Sequence, residues 1–85
     1  MDAVAAKKVI VTAAILAIVS AFQDGLTHLE KKEYDQAVKK FTFVIEKDVP
    51  GNTLRELAYY YRAQAHVGNK DNKAAREDLL KLLDM

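Results

Sequence analysis

Residues 38 positions apart match along most of this 85-residue chain, and that register limits the folds open to it. Gly25 matches Ala63, Ala37 matches Ala75, Phe41 matches Leu79 and Val44 matches Leu82. A small residue precedes an alanine by twelve positions in each half (Gly25 and Ala37, Ala63 and Ala75). Two copies of a helix–turn–helix unit explain this spacing, with the small residues where paired helices cross closely. Apolar periodicity agrees. Phe22, Leu26 and Leu29 line one face of a helix ending near Glu30 to Glu33. A second helix is predicted from about Asp35 to Lys47, with Ala37, Val38, Phe41, Val44 and Ile45 inward. Val49-Pro50-Gly51-Asn52 is the clearest break. Thr53 and Glu56 then have the spacing of a capping box, opening a third helix that runs to about Val67. Gly68-Asn69-Lys70 turns the chain, and Asp71 or Asn72 caps a fourth helix ending near Leu83. The expected fold class is all-α.

An apolar run precedes these units. Lys7 and Lys8 are followed by Val9 to Val19, apolar except for Thr12. Three readings are open. A charged start, an apolar stretch and Val19-Ser20-Ala21 at its exit make a signal-peptide pattern, with cleavage after Ala21 and an exported protein as the result. An uncleaved membrane anchor is the second. The apolar run alone spans roughly 21 Å against a hydrocarbon core of roughly 30 Å. Adding Ala3 to Ala6, with Lys7 and Lys8 reaching toward the headgroups, brings it closer. The third is a helix buried in a protein assembly, where Ala13, Ala17 and Ala21 recur every four residues and permit close backbone approach. Val9, Ile10, Ala13, Ile15, Leu16, Ala17, Ile18 and Ala21 are the membrane or assembly residues. The expected division is therefore a hydrophobic helix over 1–22 and a two-unit domain over 23–85, the units lying at about 18–51 and 52–85.

KKEYDQAVKKFTFVIEKDVP, residues 31–50, resembles the second helix and exit of a tetratricopeptide repeat, and LAYYYRAQAHVGNKDNKAAREDLLKLLDM resembles a further repeat. The likeness runs from about Phe22 to Met85. It departs from the family at Asn72, where the first unit has Tyr34, and at Asp24 and Arg62, where leucine is usual. The resemblance implies stacked antiparallel hairpins and a groove that binds peptides or protein segments. Carried onto this chain, the groove positions are Phe22, Leu26, Leu29, Leu57, Tyr60 and Gln64, and the packing positions are Gly25, Tyr34, Ala37, Phe41, Ala63, Ala75 and Leu79. The lysine and asparagine with which some members clamp a peptide carboxylate are not found there, so an apolar helix or a protein surface is the expected guest.

The net charge is +1, which gives no reason to expect a nucleic-acid partner. Without cysteine there are no disulfides, thiolate metal sites or cysteine nucleophiles. His28 and His66 read as packing residues, because a zinc site needs three or four converging ligands. Acidic and basic residues alternate along Glu30-Lys31-Lys32-Glu33 as on a solvated face. Within Tyr59-Tyr60-Tyr61 one ring is expected in the core and another at the surface. No catalytic residue, cofactor, metal or small-molecule substrate is indicated. Two repeats bury too little to stand alone, and Leu79, Leu80, Leu82 and Leu83 exceed what one helix face needs. The expectation is a membrane-associated, non-enzymatic interaction protein whose partner is another protein or a copy of itself; the alternatives are a self-assembling subunit of an oligomer or filament with the apolar helix in its core, and an exported soluble adaptor after signal cleavage.

Overall fold

A computed structural model describes the backbone of residues 3–85 and the side chains of residues 8–85. Met1, Asp2 and the side chains of Ala3 to Lys7, invoked above for a longer membrane span, lie outside the described residues. Four helices and no strand are present among the described residues: α1 (Ala3–Glu30), α2 (Tyr34–Glu46), α3 (Arg55–Gly68) and α4 (Asn72–Leu83). Helices α1 and α2 form one hairpin and α3 and α4 another, with α2 packed on α3 and α1 touching α3.

The 38-residue register of the sequence is also a register of backbone geometry. At the end of α1 the Glu33 amide donates to the His28 carbonyl at 2.8 Å and the Lys32 amide to Leu29 at 3.0 Å. At the end of α3 the Asp71 amide donates to His66 at 2.8 Å and the Lys70 amide to Val67 at 2.9 Å. Both helices thus close with a Schellman turn, whose left-handed residue is a lysine each time: Lys32 at φ 62° and Lys70 at φ 61°. Two hairpins of one design follow from two copies of one turn.

The core lies where the hairpins meet. Ala37, Phe41, Val44 and Ile45 of α2 are buried, as are Ala58, Tyr59, Ala63 and Ala65 of α3. Phe41 stands edge-on to Phe22, with ring centroids 5.8 Å apart, and stacks on Tyr61 at 5.9 Å. Gly25 makes room for it, since a Cβ there would sit 2.7 Å from the Phe41 ring. Gly68 does the same for the Tyr34 ring. Among the packing residues named from the sequence, Ala37, Phe41, Ala63 and Ala75 are buried. Leu79 is not: it is 45% exposed, because no helix covers α4 as α3 covers α2.

Two further expectations need correction. The boundary at 22/23 falls inside α1, which runs unbroken from Ala3 to Glu30. Ile18, Ala21 and Phe22 are core residues and Ile15 packs against them, so the bundle begins at Ile15, eight residues before that boundary. The Thr53 and Glu56 capping box does not form. Thr53 sits in a turn with its amide on the Gly51 carbonyl at 2.9 Å, and Leu54, in helical conformation, takes the N-cap position of α3 without a side-chain bond. Asn52 closes this link instead, donating to the carbonyls of Val44 at 3.0 Å and Lys47 at 2.8 Å. Asp71, one of the two caps proposed for α4, accepts from the Ala74 amide at 3.2 Å.

Candidate interaction surface

Helix α1 has two halves with different surroundings. Val9, Ile10 and Leu16 are 63%, 67% and 66% exposed, whereas Ile18 is 1% exposed. From Lys8 to Glu30 the helix is long and apolar enough to cross a membrane by length and composition, with a mean hydropathy of 1.9. Ala13 and Ala17 face solvent and only Ala21 of the alanine stripe is buried, so the stripe is not a packing seam within this chain. A cut after Ala21 would remove Ile15, Ile18 and Ala21 from the core.

The six groove positions divide. Phe22 is buried between Phe41 and Tyr61 and is a core residue rather than a lining one. Leu26 and Leu29 are half-buried against the same core. Leu57, Tyr60 and Gln64 are exposed, at helical spacing along α3. The tyrosine run divides as expected: Tyr59 is buried, Tyr61 is half-buried beside Phe41, and Tyr60 faces out with its ring 5.3 Å from that of Tyr61.

A shallow groove of about 500 Å³ runs between α1 and α2, lined by Ala17, Ser20, Ala21, Asp24, Lys39, Lys40 and Phe43. Its floor is alanine and its rim is charged. Lys40 pairs with Asp24 across it at 3.5 Å, and Lys47 lies 4.5 Å over the exposed Phe43 ring.

The polar centre of the second hairpin was not foreseen. Arg62 grips Asp78 with two bonds, Nε to Oδ2 at 2.8 Å and Nη2 to Oδ1 at 2.6 Å, and donates from Nη1 to the Thr42 hydroxyl of α2 at 3.1 Å. Asp78 is 5% exposed, and His66 Nε2 lies 3.6 Å from its Oδ2. The hydrogen bond to Asp78 holds the guanidinium above its ordinary range, outweighing burial, so this arginine stays charged at any physiological pH. One cation therefore ties together α2, α3 and α4. The signal was in the sequence: Asp24 and Lys40 lie 16 positions apart, as do Arg62 and Asp78, at equivalent places in the register with the signs reversed. Asp24 and Arg62 are thus each one half of an ion pair. His28 Nδ1 meets Glu33 at 3.1 Å, and no group of three or more metal-ligating side chains occurs among the described residues.

Comparison with known proteins brings no match, whether with family models, with characterised proteins or with solved structures.

Proposed function

We propose that the protein is a non-enzymatic, membrane-tethered interaction module, with two tetratricopeptide-like hairpins held against a membrane by the first half of α1. The observation that carries this is the contrast along one helix, exposed at Val9, Ile10 and Leu16 and buried at Ile18. A large apolar surface left uncovered on a small domain marks a membrane or protein contact. The stretch before Ile15, the first described side chain to reach the core, is the arm that would meet the membrane. Retention of the arm is supported by the same packing, since Ile18 and Ala21 hold the first hairpin together. Leu57, Tyr60 and Gln64 offer the face for a protein partner, a stripe on the exposed side of α3.

Flotation of the full chain with phosphatidylcholine vesicles tests the tether. The protein is expected to rise with the vesicles, and Val9→Glu with Ile10→Glu to leave it at the bottom of the gradient with its helical circular dichroism unchanged. A full chain that stays at the bottom overturns the reading.

A further inference from the structure

The 38-residue register relates an interface that is filled to one that is open. Inside the chain, α2 docks on α3. Thr42 accepts from Arg62, Asp35 accepts from Asn69 at 2.7 Å, and Phe41 stacks on Tyr61. Moving each α2 residue forward by 38 gives the outer face of α4, and moving each α3 residue back by 38 gives the outer face of α1. Ile45 and Leu54, near opposite ends of these two helices, both belong to the core, Ile45 as a buried member and Leu54 packed against it. Their counterparts are Leu83 and Leu16, which are 81% and 66% exposed and among the most exposed large apolar side chains of the chain. Ala58, fully buried under α2, corresponds to Ser20 on the wall of the α1–α2 groove.

We propose that the chain associates head to tail, α4 of one copy seating on the outer face of α1 in the next as α2 seats on α3. The occupant is a second copy because the open face of α4 repeats the design of α2, and α1 repeats the design of α3. The apolar C-terminal end of α4, with Leu79, Leu80 and Leu83, falls opposite Leu16 and the Ser20 face of α1, beyond the tether residues Val9 and Ile10. Three changes weaken it relative to the internal interface. The Asn69 and Asp35 pair becomes Lys31 facing Lys73, the Arg62 and Thr42 bond becomes Asp24 facing Leu80, and Tyr61 on Phe41 becomes Gln23 on Leu79. Association is therefore concentration-dependent rather than obligate. Because the two surfaces differ, each copy keeps one free end, and the product is a series of oligomers instead of a closed dimer.

The test uses the full chain in a mild non-ionic detergent, sized by sedimentation velocity over a range of concentrations. The wild type is expected to form dimers, trimers and larger species as concentration rises. Leu83→Glu blocks the α4 end and Ser20→Arg blocks the α1 face, each weakening association by at least about tenfold. Both positions are exposed, so circular dichroism is expected to match the wild type. An equimolar mixture of the two variants retains one intact α4 and one intact α1 face, and is expected to yield dimers and nothing larger. Wild type that stays monomeric, variants that still assemble alone, or a mixture that fails to pair each overturn the proposal. Both variants still float with vesicles if the tether is right, so this test and that of the tether fail independently.

Discussion

At the scale of single residues, two groups set the packing. Arg62 and Asp78 form a mostly buried ion pair that also reaches Thr42. Removing one partner strands the other, so Arg62→Ala is expected to cost about 3 kcal/mol in urea denaturation followed by circular dichroism. Replacing both, as Arg62→Met with Asp78→Leu, is expected to cost less than either single change, because no charge is left unpaired. Gly25 is the second. Alanine there gains about 1 kcal/mol of helix propensity but drives its Cβ into the ring of Phe41, which is fully buried and cannot yield. Gly25→Ala is expected to destabilise, and Phe41→Leu in the same chain to recover part of the loss, as read from the two denaturation midpoints.

At the scale of elements, helix ends separate expectation from outcome. Asp71 caps α4 and Thr53 does not cap α3. Asp71→Ala is thus expected to cost about 1 kcal/mol and Thr53→Ala close to none, a contrast that thermal melts of the two variants would show. Lys32 and Lys70 hold left-handed conformations that favour glycine. Glycine at either position is expected to raise stability by up to about 1 kcal/mol in the same melts, the relief being partly offset by added freedom in the unfolded chain. Periodicity made the helices legible to within one or two residues, from the inward face of α2 to the end of α4 near Leu83. The α3 start was misread because Pro50 and Gly51 shape a link in which Asn52, not Thr53, satisfies the free carbonyls.

At the scale of the whole molecule, α1 is shared between the bundle and its surroundings. A chain starting at Phe22 lacks Ile15, Ile18 and Ala21 and is expected to lose most of its cooperative unfolding transition. A chain lacking only residues 1–10 is expected to keep that transition, because every described core residue lies beyond them. Circular dichroism during heating distinguishes the two. The candidate surface was half legible. Leu57, Tyr60 and Gln64 lie on an exposed face, while Phe22, read as a groove position, is buried. Spacing along one helix tells which residues share a face; it does not tell how deeply a neighbouring hairpin covers it.

The order of residues alone determined that the chain is helical, that it repeats every 38 positions, and that its N-terminal run is too apolar to be left wholly in water. These follow from local chemistry: the period of a helix, the closeness permitted by glycine and alanine, and the transfer of apolar side chains out of solvent. Tertiary structure decided where the run stops being exposed and becomes core, and that the odd polar residues Asp24 and Arg62 are halves of cross-helix pairs. Both depend on which helices come together across 16 or more positions of chain, and distance in space is not written in any single stretch of it.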